Sequence, residues 1–170
     1  MVEFEVVDLG PADHPEPGER APDFTRPLVT DEFWEDRSLS EAVAPDGRTV
    51  LVFTPMIGSF ANEYVYGELA DRDWFDRADR IVGVTAATPY AVSEFLGETG
   101  SPVAIFADPG NDVADSFGVA HDLDGMEGIS EPRIAVFELE PDLTVASAWV
   151  ATEWPEFPDY DALEDRLELA

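Results

Sequence analysis

The sequence predicts an α/β protein built on a mixed sheet. Two observations carry that reading. From Thr49 onward short apolar, β-branched runs alternate with helical stretches, and late in the chain two such runs are joined by a connection that fits an antiparallel hairpin.

Thr49-Val-Leu-Val-Phe-Thr54 reads as a buried strand, stopped by Pro55. Ser59 is a favoured N-cap, and residues 60–71 follow as a helix. Residues 80–85 form a second buried strand, and Pro89, suited to a first helical turn, opens a helix to about Gly97. Residues 101–106 make a third strand, after which Asp108-Pro-Gly-Asn turns the chain into a short helix over 113–117. Residues 132–139 and 145–150 are two more strands, joined by Glu140-Pro-Asp-Leu, and residues 159–169 close the chain as an amphipathic helix. Upstream, Pro11, Pro15, Pro17, Gly18 and Pro22 make residues 10–23 irregular. The expected organisation is an irregular N-terminal segment, 1–17, before a single domain over 18–170, with no internal repeat.

Composition narrows the function. The 170 residues are 45% hydrophobic and 11% aromatic, enough for a substantial core, which excludes intrinsic disorder. Against 38 acidic residues stand nine basic ones, all arginine, for a formal charge of −29. Nucleic acid and anionic membranes are excluded as charge-recruited partners, because both recruit through lysine and arginine. The carboxylates are spread in ones and twos along the chain, as on a folded acidic surface. Such a surface repels itself in dilute buffer, but at molar salt the screening length falls to about 3 Å. A lysine-free acidic chain therefore suggests a high-salt cytosol. No apolar run is long enough to cross a membrane and the start, Met1-Val-Glu-Phe-Glu, is acidic, so a cytoplasmic protein without a secretory signal is expected.

Six segments, in order, are similar to peroxiredoxins of the alkyl hydroperoxide reductase and thiol-specific antioxidant class. Gly18-Glu-Arg-Ala-Pro-Asp-Phe-Thr25 resembles the family's opening segment, and Ser38-Leu39 followed by Gly47-Arg-Thr-Val-Leu-Val-Phe53 its approach to the active-site strand. Pro55-Met-Ile-Gly-Ser59-Phe-Ala-Asn62 stands where the family has proline, threonine or serine, and the peroxidatic cysteine. Ile81-Val-Gly-Val-Thr85 with Pro89-Tyr-Ala-Val-Ser-Glu-Phe95, and Phe106-Ala-Asp108 with Asn111-Asp-Val-Ala-Asp-Ser-Phe-Gly-Val119, resemble later elements. Arg133-Ile-Ala-Val-Phe137 sets an arginine where the family has its second catalytic one; Ala148-Trp149-Val150 and Pro158-Asp-Tyr-Asp161 fit the tail. The resemblance implies a thioredoxin-like fold, a thioredoxin-dependent peroxidase ancestry and a homodimer or larger homo-oligomer. The 145–150 strand or the 55–60 loop would make the contacts, with a cysteine-bearing relative as another possible partner.

The departure lies at the chemistry. The chain has no cysteine, which removes disulfides, thiolate metal sites and any thiol nucleophile. Asn62 stands in the nucleophile's place, and an amide cannot displace at a peroxide oxygen at neutral pH. Val65 holds a position where the family tends to carry glutamate. Pro55, Ser59, Asn62 and Arg133 would still outline a degenerate polar site. Arg133 could offer its donors to a small oxygen-rich ligand there. Alternatively, Ser59 and Asn62 cap the helix while Arg133 pairs with a carboxylate.

Two functional readings follow: a protein acting by binding or assembly, or an antioxidant oxidoreductase working by a cysteine-independent route through Arg133 with Ser59 or a bound cofactor. Neither a dinucleotide fingerprint nor a P-loop occurs, so no cofactor is expected. No metal is expected either, since the two histidines, His14 and His121, are far apart in sequence; His121 reads as a surface or loop residue. Glu127 with Glu131 is an acid/base pair by proximity alone. Met56 and Met126 supply thioether sulfur, with oxidation or packing as alternatives. Trp34, Trp74 and Phe75 read as core or subunit contacts.

Overall fold

The computed structural model describes residues 6–122 and 126–169; the acidic start read at residues 1–5 lies outside them. Strand β1 (Val7–Asp8) leads into an extended stretch, and β2 (Thr25–Val29) and β3 (Trp34–Ser38) form a hairpin. Helix α1 (Leu39–Ala42) starts in a capping box between Ser38 and Glu41. The alternating unit follows: β4 (Thr49–Phe53), α2 (Phe60–Asp71), α3 (Trp74–Arg77), β5 (Arg80–Thr85), α4 (Pro89–Thr99), β6 (Ala104–Ala107) and α5 (Asp112–Ser116). Strands β7 (Ala120–Asp122) and β8 (Ser130–Pro132) pair with each other, β9 (Ala135–Leu139) and β10 (Val145–Val150) make the predicted hairpin, β11 (Glu153–Trp154) pairs with β1, and α6 (Tyr160–Leu167) closes the chain.

The central sheet has seven strands in the order β10-β9-β4-β5-β6-β2-β3. Strands β4, β5 and β6 run parallel, with β9 antiparallel to β4 and β2 antiparallel to β6. Every residue of β4 and β9 is buried, on both faces of the sheet, which is why β4 reads as a continuous apolar run and β9 as one interrupted only by Glu138. Successive side chains of β4 divide between two cores: Val50 and Val52 join Val65, Leu69, Val92 and Leu96 from the helices, while Leu51 and Phe53 join Leu39, Val113 and Phe117.

Three stretches differ from expectation. The strand expected over 132–139 is broken, because Arg133 donates its backbone N–H to the Val119 carbonyl and leaves the ladder between β8 and β9. The β2–β3 hairpin has no apolar alternation to reveal it: β3 is a sheet edge reading Trp-Glu-Asp-Arg-Ser, and edge charge of that kind discourages pairing with other chains. The N-terminal stretch is tied down along its length. Beyond the β1–β11 pairing, Gly18 donates to the Val145 carbonyl and Ala21 to that of Leu143. Asp13 passes so close to Gly118 (φ +72°) that a side chain there would collide with its carbonyl. Among the described residues no helix is long and apolar enough to cross a membrane.

Candidate functional site

The loop between β4 and α2 is shaped by its own hydrogen bonds. Thr85 donates its hydroxyl to the Pro55 carbonyl at 3.3 Å, Met56 donates its N–H to Glu131 Oε2 at 3.1 Å, and Ser59 donates its N–H to the Met56 carbonyl at 3.1 Å. Gly58 turns the chain at φ +98°, a conformation that favours glycine. Ser59 then caps α2 by accepting the Asn62 N–H at 3.3 Å.

Asn62 lies on the inner face of α2 with Ala61, Val65, Tyr66 and Leu69 and has no exposed surface. Its Oδ1 accepts the Thr54 hydroxyl at 2.8 Å, and Thr54 is equally buried. The Nδ2 has no partner among the described residues. Asn62 therefore serves as a polar peg between the end of β4 and the first turn of α2 rather than as a cap.

Arg133 is 8% exposed and faces backbone. Nη1 donates to the carbonyls of Gly10 at 2.6 Å and Ala151 at 3.1 Å, and Nη2 to that of Leu9 at 3.0 Å. Burial lowers its pKa from the ordinary arginine value. Among the described residues the guanidinium meets no carboxylate within ion-pair distance; its Nη atoms hold the N-terminal segment and the Ala151 carbonyl, and its buried Nε has no hydrogen-bond partner.

Beside it lie two groups that differ from their sequence reading. His121 is buried, not a surface residue, with Nε2 3.7 Å from Glu131 Oε1. Burial and the Arg133 charge lower the His121 pKa, favouring the neutral ring. Burial raises Glu131, opposed by the Met56 N–H. Glu127 is exposed while Glu131 is buried, so the two do not act as a pair. His14 packs its ring 5.9 Å from Phe137 and bonds the Pro15 carbonyl. No group of three described residues is placed to hold a metal ion.

Trp74 is a core residue, Trp34 is partly exposed at the β3 edge against Tyr90, and Val65 belongs to the core. Sequence reasoning missed Thr54 and Glu131 as parts of this site; the one available signal was a carboxylate two residues before Arg133 in a stretch otherwise fit for burial. Chemically, the site presents an amide, a capping hydroxyl and a guanidinium bonded to backbone carbonyls, with no thiol.

The AhpC/TSA family model matches residues 17–147. In fold the chain is similar to the peroxidoxin BcpB from Mycobacterium tuberculosis (TM-score 0.69, 22% identity, 91% of this chain and 96% of that one). It is also similar to Enterococcus faecalis AhpC (TM-score 0.73, 18% identity, 91% of each chain) and Mycobacterium tuberculosis AhpC (TM-score 0.67, 16% identity, 90% of this chain and 96% of that one). No curated protein matches the sequence. The structural likeness carries the thioredoxin-like fold, and the family match, which spans well over half of the residues, carries the assignment: the chain belongs to the AhpC/TSA family of peroxiredoxins.

Proposed function

We propose that this chain is a peroxiredoxin-fold protein without thiol peroxidase activity that acts by binding or assembly in a high-salt cytosol. The observation that carries the reading is the absence of any cysteine; Asn62, at the position the resemblance gives to the peroxidatic cysteine, is fully buried and uses its carbonyl oxygen on Thr54. Peroxide reduction by the family's route needs a thiolate attacking oxygen, and the 170 residues contain no sulfur that can supply one. A cysteine-independent route through Ser59 and Arg133 is disfavoured, since Ser59 caps α2 and Arg133 holds backbone carbonyls.

Assembly is supported by position. Strand β10 is one edge of the central sheet; Val145 is already bonded to Gly18 and Glu19 and the Ala148 carbonyl accepts from Arg166, which leaves the remaining backbone groups of its later part to pair with a second copy or a cysteine-bearing relative. The 55–60 loop is the other candidate contact. Residues 18–170 are taken as one domain, with the N-terminal segment fastened to it through Arg133. A peroxidase assay in molar salt with thioredoxin or a dithiol, run beside light scattering, tests the proposal. No turnover from an oligomer is expected, and robust turnover would overturn it.

A further inference from the structure

We propose that the outer face of α2 is a docking surface for a cationic peptide segment of a partner protein, one that carries arginine or lysine together with an apolar side chain. This rests on the reading above, that the protein acts by binding, and supplies the partner's chemistry.

The face is one stripe. Phe60, Glu63, Tyr64, Gly67, Glu68 and Asp71 recur at three- and four-residue spacing and so line up along one side of the helix. Tyr64 is 67% exposed, among the most exposed large side chains together with Tyr90 and Phe33. Its ring is braced by Phe60 at 6.1 Å and Phe157 at 5.8 Å, with Trp154 behind Phe60 at 6.0 Å. A depression of about 410 Å³ lies against Tyr64, Gly67 and the three carboxylates. A second, also about 410 Å³, shares Glu63 and Gly67 and continues onto Phe75, Phe95 and Pro102. The first suits a guanidinium or ammonium group, held by charge and by the aromatic face; the second suits an apolar side chain. Glu68 already accepts from Arg72, but Glu63 and Asp71 have no basic partner among the described residues.

Gly67 is the independent observation. It sits inside a 12-residue helix, where glycine is a poor helix former, and a side chain built on it would meet no atom within 4 Å. Its conformation is helical and its surroundings are open, as at Gly97 in α4, so nothing within the chain requires glycine. The open space lets a neighbour's backbone approach between the two depressions.

Charge decides the occupant. The surface is wrong for a polyanion. A second copy is a poor fit because it brings no lysine, and its arginines, Arg20 aside, already donate to carboxylates or carbonyls of their own chain. A cationic segment is complementary at contact range, which molar salt leaves while it screens longer-range attraction.

The test is fluorescence anisotropy with a dye-labelled synthetic peptide of alternating leucine and arginine, in molar potassium chloride to suppress general attraction to an acidic chain. The expected result is saturable binding that Tyr64→Ala and Gly67→Ala each weaken by about tenfold or more. Asp46→Asn, away from α2, should leave binding unchanged, and Gly67→Ala should melt no lower than the parent. Absence of saturable binding, indifference to Gly67→Ala, or equal binding of an all-arginine peptide would overturn the proposal. So would a dimer in sedimentation velocity that Gly67→Ala dissociates, since the occupant would then be a second copy. Peroxide consumption by the parent would overturn the functional reading instead, and leave the peptide result standing.

Discussion

Thr54 donates its hydroxyl to Asn62 Oδ1 at 2.8 Å, and both residues are completely buried. This bond joins the end of the central strand β4 to the first turn of α2. In a dry setting a satisfied polar pair specifies one geometry, and loss of either member leaves the other costly. The pair thus holds two elements together.

Restoring the sulfur alone is not expected to restore the chemistry. In Asn62→Cys the thiol would be buried, which raises a thiol pKa, and Arg133 would still be donating to the carbonyls of Leu9, Gly10 and Ala151 rather than stabilising a thiolate. The variant should consume peroxide no faster than a free dithiol control and should lose about 1–3 kcal/mol of stability in urea denaturation, from the orphaned Thr54 hydroxyl. Turnover well above that control would show that a thiolate-stabilising environment persists.

Arg133 is predicted to be a structural anchor. Arg133→Ala removes three charge-assisted hydrogen bonds to backbone carbonyls, and a loss of about 3 kcal/mol is expected. Limited proteolysis should then cut first within residues 6–18, released from Leu9 and Gly10. Unchanged stability and an uncut N-terminal segment would contradict the assignment.

Glu131 makes stability depend on pH. Burial raises its folded pKa above the ordinary 4.5, so the folded chain holds that proton more tightly than the unfolded one. The associated stability is present below 4.5 and lost as pH rises through the folded value. Glu131→Gln keeps an oxygen for the Met56 N–H and removes the titration. The variant should match the parent near pH 4 and exceed it at pH 7 in urea midpoints. His121 acts in the opposite sense: with its pKa lowered from 6.5, its contribution is present above 6.5 and lost on acidification, in both proteins alike.

Salt should act on the whole molecule. With a charge of −29 and no lysine, self-repulsion opposes the folded state in dilute buffer and is screened at molar salt. The melting temperature is expected to climb steeply as potassium chloride is raised from millimolar to molar. A flat profile would remove the argument for a high-salt cytosol.

Much of the fold was legible in the sequence because β4, β5 and β9 are inner strands whose burial leaves apolar runs, and because α2 carries Ser59 at its cap and α4 has Pro89 in its first turn. The β2–β3 hairpin was not, since Glu35, Asp36 and Arg37 sit on an edge where polarity is tolerated. Pro55, Ser59, Asn62 and Arg133 could be named from the family resemblance, but not their partners. Arg133 reaches Leu9 and Gly10 across more than a hundred residues, a contact set by the path of the N-terminal segment rather than by any local pattern. Likewise, the Glu131 bond to Met56 exists because β8 passes the loop, and no short-range signal records it.

The most direct measurement is hydrogen peroxide consumption by the unaltered chain in molar salt, with thioredoxin or a dithiol as reductant and a cysteine-bearing peroxiredoxin as positive control. With no cysteine in its sequence, the chain should leave peroxide at the level of the protein-free control. Sustained catalytic consumption would contradict the account, because it would require a reaction centre that neither Asn62 nor any other group of the described site supplies.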